Sequence, residues 1–107
     1  MENQLQSSEE LMRFGLDPRL LACFGEINEV LRKHQLEGSI GLKVLHSHFD
    51  MTSDEVLFET SEPQRRALVL TPVKKSELKP GEVFISEVDP LSVRPLTFCP
   101  FMLTGCK

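Results

Sequence analysis

The hydrophobic period of this chain changes once, between Gly38 and Ser39, and that switch narrows the folds open to it. Before it, Leu20, Phe24, Ile27 and Leu31 recur at helical spacing, and Leu21 and Val30 widen the stripe. Asp17 is a good N-cap, and Pro18 stands at the first helical position, where a missing N–H is no loss. Arg32, Lys33 and His34 suit the negative end of the helix dipole, and Gly38 offers a left-handed exit. The spacing predicts a helix over 18–36. Upstream, Ser7 and Glu10 have capping-box spacing and Gly15 closes a short helix over about 8–14, with residues 1–6 expected to be disordered.

After the switch, apolar residues alternate. Ile40, Leu42, Val44 and His46 share one face of a strand over 40–46, and Gly41, Lys43 and Leu45 take the other. Further strands are expected over 55–60, 66–73, 82–88 and 92–98, separated by turns at Ser61–Gln64 and Asp89-Pro90 and by a polar connector ending in Pro80-Gly81. Pro95 cannot donate to a ladder, so the last strand reads as an edge or a bulge. The two hairpins differ in loop and pattern, and no internal repeat emerges. The expected architecture is α+β: N-terminal helices packed on an antiparallel meander of about five strands, open or closed into a barrel. It forms a single domain over 1–107, helical over 8–36 and β over 39–107.

A chain of 107 residues buries roughly two-thirds of its unfolded surface, enough for a core without staples. The net charge of −4 argues against nucleic acid and against an anionic membrane surface. No apolar run approaches the ~20 residues a bilayer requires, and Met1-Glu2-Asn3-Gln4-Leu5 is too polar to start a signal peptide. Three cysteines, Cys23, Cys99 and Cys106, without a secretion signal suggest free thiols and a cytoplasmic location. Cys99 and Cys106 are not at the spacing of a zinc knuckle, and Cys23 sits on the helix beside Phe24.

The side chains most able to do chemistry are His46, His48 and Asp50, at every second position. On an extended segment both imidazoles point to one side, about 6–7 Å apart along the chain. That is a workable bite for a divalent transition metal, zinc or iron, with Asp50 as third ligand or orienting partner. The competing reading makes them structural, with one a core imidazole bonded to a backbone carbonyl and its neighbour exposed. Proton transfer and pH sensing are further roles for the same pair.

Two resemblances attach to this stretch. Val44-Leu45-His46-Ser47-His48-Phe49-Asp50 resembles the His-x-His-x-Asp-His signature of metallo-β-lactamase-like hydrolases, but Met51 stands where the final His belongs and Thr52-Ser53 where a Gly pair usually follows. The chain is also about half the length of that fold, so none of its catalytic roles carries over. The longer run Gly41-Leu42-Lys43-Val44-Leu45-His46-Ser47-His48-Phe49, followed by Glu55-Val56-Leu57-Phe58-Glu59, is similar to a family of small bacterial and fungal proteins with a Gly-Val/Leu-x-Leu-Val/Leu-His-x-His-Phe motif. That family has no assigned activity and implies no function.

The sequence offers no phosphate-binding Gly loop and no nucleophile elbow. The expected function is therefore non-enzymatic, through a protein partner or a homodimer, motivated by the Pro95 strand and the apolar run Phe98–Leu103. The alternative is a metal-binding protein, or a small metal-dependent enzyme, built on His46, His48 and Asp50.

Overall fold

The computed structural model describes residues 2–101, with side chains for 8–101. The chain divides into two compact units, Met1–His46 and Ser47–Lys107, each described by itself.

Helix α1 (Glu2–Arg13) starts earlier than the spacing predicts. Residues expected to be disordered are helical, and Ser7 lies inside the helix instead of at its start. Strong helix formers (Gln, Leu, Glu, Met) on both sides carry the helix through the two serines. At its end Gly15 takes φ 102°, Leu16 N–H donates to Leu11 C=O at 2.9 Å, and Gly15 N–H donates to Met12 C=O at 3.2 Å. This pairing satisfies carbonyls that the helix end leaves open.

Helix α2 (Pro18–Lys33) begins where expected, with the Asp17 carboxylate accepting from Leu20 N–H at 2.9 Å. It stops three residues short of the expected end. Gln35, not Gly38, takes the left-handed position (φ 59°), Gln35 N–H donates to Arg32 C=O, and Leu36 N–H closes on Leu31 C=O at 2.8 Å. A polar residue tolerates that conformation, so the chain turns at the first site where Leu36 can fold back over Leu31. No residue of α2 is buried. Among the described residues no helix is long and apolar enough to cross a membrane.

The second unit is a sheet of four strands: β1 (Glu55–Glu62), β2 (Ala67–Lys74), β3 (Val83–Asp89) and β4 (Arg94–Pro100). Their order is β2-β1-β4-β3, with antiparallel pairs at either side and a parallel pair, β1 and β4, in the middle. The α+β class holds, but the sheet is mixed and open, not an antiparallel meander of five strands and not a barrel. The missing strand is 40–46, which joins no sheet. Its alternation is a strand pattern all the same.

Because β1 and β4 run parallel, the two hairpins turn at opposite ends of the sheet. The connection over 75–82 must therefore travel from one edge and one end to the other edge and the other end, across a face. It does so through a single 3₁₀ turn, Lys75–Glu77. Lys75 N–H donates to Asp54 C=O at 2.8 Å, tying the start of the crossing to the loop before β1.

Pro95 does not mark an edge. β4 lies inside the sheet, and Pro95 faces Val88 where the β3–β4 register is irregular, so its missing donor falls at a place where the ladder is already broken. The hairpin loops, 63–66 and 90–93, are also more alike than their sequences suggest. Each opens on Pro after an acidic residue and ends on a non-glycine in the left-handed region, Arg66 (φ 53°) or Val93 (φ 52°). Arg65 is bonded to Glu62 in the first loop, and Arg94 lies 4.0 Å from Asp89 across the second.

The core of the sheet is small. Val56, Thr97 and Cys99 are buried, at 6 %, 2 % and 1 % exposure, and Pro100 is buried beside them in the chain. The Thr97 hydroxyl donates to Glu87 Oε1 at 2.8 Å, and Ser86 Oγ donates to Thr97 C=O at 3.2 Å, so the buried polar residue is fully engaged.

Candidate interaction surface

The segment between α2 and β1 carries a run of exposed apolar residues. Every large apolar residue from Ile40 to Met51 is exposed: Ile40, Leu42, Val44, Leu45, Phe49 and Met51, with Leu45 at 60 %. Folding normally hides such side chains, each contributing about 1.5–3 kcal/mol when fully buried. Among the described residues, Leu42, Val44 and Leu45 take part in no backbone–backbone hydrogen bond. The Val44 carbonyl faces His46 Nδ1 at 3.1 Å.

The three candidate ligands lie on this same segment. His46, His48 and Asp50 are all exposed, and the division between the two compact units falls at His46–Ser47, between the two rings. The expected common direction of His46 and His48 depended on a strand, and the segment is not one. Among the described residues no group of three or more His, Cys, Asp or Glu side chains could hold a metal ion. His46 contacts a backbone carbonyl, but the ring is exposed and the carbonyl is local, so it is not the core imidazole of the structural reading.

A complementary feature, which the sequence reading missed, is the edge strand β2. Its register with β1 is unbroken from Glu55↔Lys74 to Glu62↔Ala67 and includes Leu57↔Pro72. In an antiparallel ladder the N–H and C=O of one residue point to the same side, and successive residues alternate. Proline fits this ladder only where its nitrogen points away from β1. Leu68, Leu70 and Pro72 share that parity, so the N–H groups of Leu68 and Leu70 aim at the open edge. Their side chains are exposed too, Leu68 at 61 % and Leu70 at 37 %. The rule that proline marks an edge, applied to Pro72 instead of Pro95, would have located this strand.

Under the crossing segment lies a cleft of about 380 Å³, lined by Leu78, Pro80, Val83, Ile85 and Phe98, with Lys75 as its one charged residue. Beside it the rings of Phe84 and Phe101 lie 5.3 Å apart. The apolar run from Phe98 was expected to continue as a docking tail. Phe98 and Pro100 belong to β4, and residues 102–107, Cys106 included, lie outside the described residues.

The thiols differ from the expectation of a uniformly reduced set. Cys99 is disulfide-bonded, whereas Cys23 on α2 is a free, exposed thiol. Two carboxylates are held below their ordinary range by local hydrogen bonds. At Asp89 the Leu91 N–H and then the Ser92 hydroxyl are responsible, each at 3.0 Å. At Asp54 the Thr52 hydroxyl contributes most, at 2.6 Å. Both sit in surface turns.

Comparison with models of known families, with characterised proteins and with solved structures gave no match for this chain.

Proposed function

We propose that this chain is a small non-enzymatic domain that works by associating with protein, in the first place with itself. The observation that carries the reading is the exposed run of six large apolar residues between Ile40 and Met51. Large apolar side chains exposed in this number over so short a stretch point to an interface. Two further features support it. The apolar stripe of α2 buries none of its residues, and the β2 edge presents two leucines together with outward N–H groups. An uncovered edge of this kind is a ready template for another strand.

Sedimentation velocity over a concentration series tests the reading. A monomer–dimer equilibrium with a dissociation constant in the micromolar range or tighter is expected. A chain that stays monomeric and well dispersed up to about millimolar concentration would remove self-association from this proposal.

A further inference from the structure

The cleft under the crossing segment has a lining of one chemistry and a single charge, and the two together define what fits it. We propose that it binds a small aliphatic monocarboxylate, with the apolar chain inside the cleft and the carboxylate on the Lys75 ammonium. The proposal stands apart from self-association, since every lining residue belongs to the one compact unit Ser47–Lys107.

The sheet topology makes the space. Ile85 on β3 stands directly opposite Phe98 on β4, so the two side chains share a face of the sheet. Val83, two residues before Ile85, lines the cleft with them, and Leu78 and Pro80 line it from the crossing segment. That segment is tied at both ends. Lys75 N–H donates to Asp54 C=O at 2.8 Å, and Pro80 bridges to Val83. Phe101 N–H also donates to Glu82 C=O at 3.2 Å. Walls held in this way are formed before a ligand arrives, which lowers the ordering cost of binding.

Size and charge select the occupant. A volume of about 380 Å³ lies within the range of about 300–1,000 Å³ usual for small-molecule sites. At ~30 Å³ for each group the size of a water molecule, it holds about a dozen non-hydrogen atoms. That matches a carboxylate with about eight to ten carbons and is far smaller than the roughly 20 residues a protein partner lays on an interface. Sugars and other polyols are disfavoured, because their hydroxyls would lie unpaired against aliphatic and aromatic walls. Lys75 supplies the one charge, and among the described residues it enters no ion pair. A carboxylate gives that ammonium a counter-charge. A phosphate is ordinarily held by paired Arg forks or a Gly-rich loop, and the lining has neither.

The test titrates the full-length protein with hexanoate, octanoate, decanoate and, as the opposite charge, decylammonium, followed by methyl NMR. Decanoate is expected to bind one to one with a dissociation constant between about 10 µM and 1 mM. Affinity should rise about two- to four-fold per added methylene, with shifts at the methyls of Leu78, Val83 and Ile85. Lys75→Met keeps the apolar stem and removes the charge, and should weaken decanoate about two- to five-fold. Ile85→Trp, at a half-exposed position, fills the space and should weaken it at least about ten-fold. No shift at those three methyls up to about 10 mM decanoate overturns the proposal. So do shifts at Leu42, Val44 and Leu45 in their place, which put the amphiphile on the exposed apolar segment. Decylammonium that binds as tightly as decanoate, or a Lys75→Met protein that binds decanoate like the parent, overturns the role of the ammonium and with it the ligand class. An Ile85→Trp protein that is folded by circular dichroism and binds like the parent overturns the site; if that variant fails to fold, the methyl shifts of the parent decide the location.

Discussion

Replacing Val56 with Ala should lower the melting temperature of the sheet much more than replacing Leu68 with Ala, although Leu68→Ala removes more carbon. Val56 is 6 % exposed near the start of β1, opposite Val73 on β2. Two buried carbons at ~0.8 kcal/mol each give about 1.6 kcal/mol, and the cavity left behind brings the cost to about 2 kcal/mol. The sheet unit, Ser47–Lys107, has an unfolding entropy of about 130 cal/mol/K at the usual value of ~2.1 cal/mol/K per residue. A loss of about 2 kcal/mol then lowers the melting temperature by about 15 °C. Leu68, at 61 % exposure, loses three carbons that are less than half covered and leaves a space that water fills, so its cost stays below about 1 kcal/mol. Thermal unfolding followed by far-UV circular dichroism, in dilute protein, measures both. Equal shifts for the two variants in dilute protein would refute the burial pattern from which the estimate was worked. Repeating the melts at high concentration adds a second reading. The Leu68→Ala cost should grow if a second copy covers that edge, and the Val56→Ala cost should not.

Val93→Gly should raise stability by roughly 0.5 kcal/mol, since a β-branched residue at φ 52° carries strain that outweighs the added freedom of glycine in the unfolded chain; a lower melting temperature would contradict this. The Asp89 carboxyl is held below its ordinary value near 3.8 in the folded state, so its contribution is present above that pH and is lost as pH falls through the folded value. Asp89→Asn should therefore flatten the acid side of the melting-temperature profile below about pH 4, and an unchanged profile would show that the Leu91 and Ser92 bonds do not matter in solution. On the interaction reading, protein purified without a tag or chelator should carry transition metal far below one equivalent by elemental mass spectrometry. Near-stoichiometric zinc or iron, lost in a His46→Ala/His48→Ala double variant, would replace that reading with the metal-binding one.

Local signals in the sequence were read well and long-range ones less so. Asp17-Pro18 placed the start of α2 because capping is chemistry among neighbours. The four strands lie within about two residues of their expected bounds, since alternation and turn residues are also local. Strand order was a different matter. Nothing between Lys74 and Val83 announces that the chain crosses a face, because a short polar connector serves a meander and a crossover equally well. The proline rule was sound but was applied to one residue of two. Pro72 marks the true edge, and Pro95 sits beside a bulge, where an interior strand can spare a donor.

The candidate site shows the same division between what a segment is and where it goes. The run from Ile40 to His46 has the alternation of a strand, and the sequence reading used that alternation to aim His46 and His48 at a common ligand. In the structure the pattern survives and the sheet does not reach it, so the apolar side chains meant for one face stand in solvent. Burying four or five such side chains is worth several kcal/mol, a sizeable share of the stability of a small domain. Self-association, as proposed, would cover that surface and recover part of that energy.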